Sequence, residues 1–264
     1  MSKNLYNFVS SLSGYEKIKD TCSEGINDDM INLCDSAIFR EVCDNKNFKR
    51  NYLIAEKYLT YIKSKESSLI IENACKYFSY WVYKEMIMGK TYSYSVSTIH
   101  ENIMNSKGVR ICENYVEDIT TEIFKNIEKL NNLHKSLIEI LTGINDFDCD
   151  QAKKCVDLYN GIEDTCYLNS DNPFCIGLQK FREVYNTTME PAENCPQYQF
   201  LPPFQERPEK SANTIATFTP LGSWVRHRLS GNKNLRNKLE KEFTASQNSS
   251  ELQDIEYRVP YNSS

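Results

Sequence analysis

A chain of 264 residues is long enough to bury a full core without covalent staples. Its 31 basic and 36 acidic residues leave a net charge of −5, which gives no electrostatic footprint for a nucleic-acid backbone. A mean hydropathy of −0.56 and only nine glycines exclude a membrane bundle and a glycine-rich β protein, and point to a soluble helical chain.

The first twenty residues contain an early lysine, Lys3, but no apolar stretch of the length a secretory signal needs. Thr21 and Glu24 have capping-box spacing ahead of Met30, Ile31, Cys34 and Ile38. Tyr52, Ala55, Leu59 and Ile62 then recur at helical spacing, as do Ile71, Ala74, Cys75, Phe78, Val82 and Met86. Thr98 and Glu101 mark another capped start. The longest periodic stretch covers about 110–141, with Tyr115, Ile119, Ile123, Ile127, Leu130, His134, Leu137 and Leu141 on one seam and Gly143 as its stop. A further helix is expected near Asp150, and another at Asn172-Pro173, where Asn caps and Pro presets φ, burying Phe174, Leu178, Phe181 and Val184.

Composition changes after Tyr185. Six of the eight prolines (Pro191, Pro196, Pro202, Pro203, Pro208 and Pro220) fall within 30 residues, a density that forbids continuous helix and favours a linker. Residues 219–264 form a tail with seven basic and five acidic residues. The predicted fold class is therefore all-α: an irregular multi-helix bundle built around one long helix, about 110–141. A helical cysteine-containing domain over 1–190 is followed by a Pro-rich linker at 191–218 and a short basic tail at 219–264. The longest uncharged window there, Ser211 to Val225, has 15 residues rich in Thr, Ser and Asn, too short and polar to span a bilayer.

Ten cysteines are candidates for disulfides: Cys22, Cys34, Cys43, Cys75, Cys112, Cys149, Cys155, Cys166, Cys175 and Cys195. No Cys-x-x-Cys pair occurs, which removes the common zinc, thioredoxin-like and haem-attachment motifs. Cys75 on an apolar face and Cys112 at the start of the long helix also suit buried free thiols. The set Cys149, Cys155, Cys166, Cys175 and Cys195 spans helix ends and turns, where bridges tie irregular segments. Their connectivity is not written in the spacing.

Three histidines leave little for acid–base chemistry. His100-Glu101 begins a metalloprotease-like string, but Met104 stands where a second zinc-binding histidine is required. His134, on the apolar seam, reads as a core or boundary histidine. Without a phosphate loop or nucleophile elbow, the expectation is no catalytic residue, no cofactor and no metal site. Asn186, Asn248 and Asn262 begin Asn-x-Ser/Thr sequons, and Trp224 leads a basic stretch from Arg226 to Lys241.

Two segments carry a resemblance. Ala74-Cys75-Lys76-Tyr77-Phe78-Ser79-Tyr80-Trp81-Val82-Tyr83 resembles the cysteine-bearing, Tyr/Trp-rich helix of the Plasmodium interspersed repeat (PIR) family, in particular the Vir variant surface proteins of the vivax malaria parasite. Thr219-Pro220-Leu221-Gly222-Ser223-Trp224 is similar to that family's motif just after its membrane span, and Ile255-Glu256-Tyr257 with Tyr261-Asn262-Ser263 to its short tail. The resemblance implies a non-enzymatic, disulfide-bearing exported or surface antigen of infected red cells, concerned with antigenic variation, immune evasion or host-cell interaction. A host-cell protein or antibody is the implied partner, and export is implied without a conventional signal peptide. Membrane association comes by this analogy alone, because Ser211 to Phe218 stand where the family has its apolar span. The alternative expectation is a soluble intracellular helical interaction protein with reduced cysteines.

Overall fold

A computed structural model describes residues 5–27, 31–34, 36–65, 70–141, 147–166 and 171–203. These form seven α-helices and no strand: α1 (Leu12–Ser23), α2 (Lys46–Ser64), α3 (Ile71–Val82), α4 (Val96–Lys107), α5 (Thr121–Leu141), α6 (Cys149–Glu163) and α7 (Pro173–Met189). The chain is all-α, as its periodicities predict. Met30, Gly143, the Pro-rich stretch beyond Pro203, and the tail with Trp224, Asn248 and Asn262 lie outside the described residues.

The packing centre is α3. Every residue from Ala74 to Val82 is buried, Lys76 and Ser79 included. A helix apolar on all sides belongs inside a bundle, and the aromatic run Tyr77-Phe78-Ser79-Tyr80-Trp81 supplies that. One π-helical turn, Tyr83–Ile87, prolongs the helix and closes with a Met88 N–H bond to the Tyr83 carbonyl at 2.8 Å. On one side α1, α2 and α3 pack on one another, and on the other α5 packs on α6 and α7. Side chains of α3 and of its π-helical extension join the two groups. Tyr80 stacks on Phe124 with ring centroids 5.7 Å apart and donates to Glu128, and the Tyr83 hydroxyl meets that of Thr121 at 3.0 Å.

At 21 residues α5 is the longest of the described helices, but it starts at Thr121 and not near 110. The Thr120 hydroxyl accepts the Ile123 N–H at 3.2 Å, an N-cap bond, and Cys112 holds a φ of +69°, which no right-handed helix can contain. Ile119, Ile123, Ile127, Leu130 and Leu137 are buried on the expected seam. Tyr115 and Leu141 are exposed instead, and Leu133 and Ile140 take core positions.

Both capping boxes are corrected. Thr21 lies in the last turn of α1, its hydroxyl returned to the Lys17 carbonyl, so it ends a helix. For α4 the cap is Ser95, whose Oγ accepts the Thr98 N–H at 3.0 Å. The cap at α7 is Asn172, accepting from Phe174 N–H ahead of Pro173, as its sequence predicts.

The N-terminal segment is core. Leu5, Phe8, Val9, Leu12 and Tyr15 are all buried, and Tyr6 meets Phe174 edge-on at 5.8 Å. A Cβ at Gly177 of α7 would lie 3.0 Å from Leu130 Cδ1 and 3.2 Å from Tyr6 Cβ, so glycine is what lets α7 close against α5 and this segment.

Candidate functional site

The sulfurs are the chemistry this chain concentrates. Cys34 pairs with Cys43, Cys75 with Cys112, Cys149 with Cys195 and Cys166 with Cys175. Their Cα separations, 4.8 to 5.5 Å, lie in the range a bridge spans without backbone movement. Cys22 and Cys155 are unpaired and buried. Cys155 lies inside α6 with its Sγ 3.9 Å from the Leu133 carbonyl of α5, and burial pushes its pKa up to about 12. Burial raises Cys22 to about 11. Thiols held so far above neutral pH are protonated and poor nucleophiles, so neither can readily reshuffle the four bridges.

Eight of the ten candidate cysteines are bridged, and Cys22 and Cys155 are the two that are not. Cys155 sits among loop cysteines in sequence but on a buried helix face in space. Cys75 and Cys112, which suited either a bridge or buried free thiols, form a bridge because the loop before α5 folds back over α3. That loop is held at several points. Gly108 ends α4 at φ +64°, and His100 Nε2 donates to the Ile111 carbonyl at 2.8 Å. Cys112 turns the chain at φ +69°, its carbonyl accepting from Tyr115 and Val116. The Glu117 N–H then donates to Ser79 Oγ of α3 at 3.2 Å, and Asp118 accepts from Ser97 of α4.

Both described histidines are accounted for by packing. His100 is buried, and desolvation lowers its pKa. His134 is half-buried, edge-on to Phe181 at 5.1 Å, and burial lowers its pKa from 6.5 to about 4. A histidine whose folded pKa lies below its unfolded value takes up protons on unfolding, so its contribution to stability is complete above pH 6.5 and is lost as pH falls toward 4. The urea midpoint should therefore drop across that window, and His134→Gln should flatten part of the drop. An unchanged pH profile in the variant would remove His134 from this account.

Cys34, Cys43 and Asp44 bring three potential metal-ligating atoms within 4.8 Å of one another. With the two sulfurs joined, neither is a thiolate, so in this redox state the trio lacks the soft donors a metal centre would use.

Residues 191–203, expected to open a linker, are instead part of the helical body. The Cys149–Cys195 bridge anchors them, Leu201 is buried, and the Tyr159 hydroxyl donates to the Pro202 carbonyl at 3.1 Å. Asn186 of α7 clamps Leu201 from both sides, its amide donating to the Leu201 carbonyl at 3.1 Å and its oxygen accepting the Leu201 N–H at 2.7 Å. The sequon nitrogen is thus committed to the fold.

Among the described residues no helix is long and apolar enough to cross a membrane. No protein-family model, no curated protein and no solved structure matches this chain.

Proposed function

We propose that this chain is a non-enzymatic variant surface or exported antigen of a malaria parasite, whose business is recognition and the presentation of changing epitopes. The observation that carries the reading is the frame of four disulfides, because bridges of this number persist in oxidising compartments outside the cytosol. The resemblance of Ala74–Tyr83 to the PIR helix supports it, since this aromatic run is the buried centre of the bundle and Cys75 within it is bridged. A core fixed by α3 and the bridges leaves the outer helix faces free to vary in sequence without loss of the fold. A host-cell protein or an antibody is the partner that such a surface would meet.

Peptide mass mapping without reduction, on protein from infected cells, is the test. Four linked pairs, two free thiols at Cys22 and Cys155, and an unmodified Asn186 are expected. Ten free thiols would overturn the exported reading in favour of an intracellular interaction protein.

A further inference from the structure

Along the seam of α5 and α6 runs an open depression of about 630 Å³, lined by Lys129 and Asn132 from α5 and Lys154, Leu158, Gly161 and Ile162 from α6. Its walls are mostly apolar, yet it is not part of the core. Leu158 is 43% exposed, while Ala152, Cys155, Tyr159 and Ile162 of the same helix are buried.

Gly161 sits inside α6, where glycine destabilises a helix relative to alanine. Nothing in the fold requires it: an added Cβ would meet no atom within 4 Å, and its φ is not positive. What glycine does there is leave a notch one turn from the exposed Leu158, where another backbone or a bulky side chain can approach closely.

Charge sets the chemistry of the occupant. Lys129 and Lys154 are exposed and rise from the two walls, with no acidic partner among the described residues. The Lys129 Nζ lies 5.8 Å from the centre of the Phe174 ring, a cation–π contact that holds its charge at the α5 wall. Asp157, the one acid in the lining among the described residues, is already paired with Lys153 at 2.8 Å. The described lining thus offers two lysine ammonium groups and no unpaired carboxylate. Its complement is a row of carboxylates beside an apolar ridge.

We infer that the α5–α6 groove is a docking site for an acidic amphipathic helix of a partner protein, with an apolar side chain seated over Gly161 against Leu158 and carboxylates reaching Lys129 and Lys154. A groove between two helices takes a third helix along one of its faces, and Lys154, Leu158, Gly161 and Ile162, at i, i+4, i+7 and i+8, lie along one face of α6 to receive it. A single exposed leucine between two lysines is a poor membrane anchor. The inference depends on the folded surface and not on the compartment, so it can fail while the sulfur map stands, and the reverse.

The probe is a fluorescein-labelled, acetylated 18-residue helix of Ala, Leu and Glu with leucines on one face, titrated into the full chain with its bridges intact. Its counterpart carries Lys for every Glu. Anisotropy should show binding of the Glu peptide alone, weakening as salt is raised, with amide shifts confined to residues 129–133 and 154–162. The pair Lys129→Glu and Lys154→Glu should weaken binding at least tenfold, and so should Gly161→Gln, a change that fills the notch while favouring the helix. Lys63→Glu on α2 should leave it unchanged. No binding, equal binding of both peptides, shifts elsewhere, no effect of Gly161→Gln, or binding to phosphatidylserine vesicles in place of the peptide would each overturn the proposal.

Discussion

Replacing Cys75 and Cys112 together by alanine is expected to remove about 4 kcal/mol of unfolding free energy, following the chain-entropy cost of opening a loop of that size. The bridge closes 37 residues, from the central helix to the loop ahead of α5. The same relation gives only about 2–3 kcal/mol for the short-loop pairs Cys34–Cys43 and Cys166–Cys175, nine residues apart in each case. Urea unfolding of the three double variants should therefore rank Cys75–Cys112 as clearly the costlier. Position 112 adds a second signature. Its φ of +69° is a left-handed conformation that penalises any Cβ, so the Cys75→Ala, Cys112→Gly double variant should be more stable than the alanine pair by about 1 kcal/mol. Glycine and alanine behaving alike at 112 would show that the loop abandons this turn once the bridge is gone. A midpoint unchanged by both doubles would show that His100 and Ser79 hold the loop unaided.

The helices of the body were legible where a single apolar face runs unbroken. Tyr52 to Ile62 and Phe174 to Phe181 bury as their spacing predicts, because each helix carries its apolar residues on one unbroken stripe. The start of α5 was not legible. Ile119 continues the seam in register, so periodicity runs past the real boundary, which a backbone turn at Cys112 and a cap at Thr120 decide. Leu5, Phe8, Val9 and Leu12 do have helical spacing and are buried, but a run this short looks the same in sequence as an exposed terminal turn. Disulfide partners depend on which segments the tertiary fold brings together. Nothing local distinguishes Cys155, buried inside α6, from Cys149 at its first residue. The prolines at 191, 196 and 202 do forbid helix, but an irregular chain can still be bound to a domain by a bridge and an Asn clamp. The groove was invisible for a related reason, since its two lysines come from different helices and Gly161 has meaning only once the space above it is known.

Phe78→Ala should cost about 3–5 kcal/mol, the range for deleting a fully buried aromatic ring. Phe78 is inaccessible to solvent where α2, α3 and α4 meet, stacked over Tyr58 at 6.4 Å and facing the edge of His100 at 5.8 Å. Tyr58 is fixed in turn by its hydroxyl bond to the Ala74 carbonyl, and His100 by Ile111, so neither ring is free to collapse into the space. Poor collapse places the cost toward the upper end of that range. Phe200→Ala, at a site 55% exposed, should stay within about 0.5 kcal/mol and serves as the control. His100 ties this cluster to the Cys112 loop, so combining Phe78→Ala with the Cys75/Cys112 double should be non-additive by about 0.5–3 kcal/mol. Additive costs would mean that the aromatic core and the bridge stabilise the chain separately. Coupled costs would mean that α3 and the loop over it unfold as one unit.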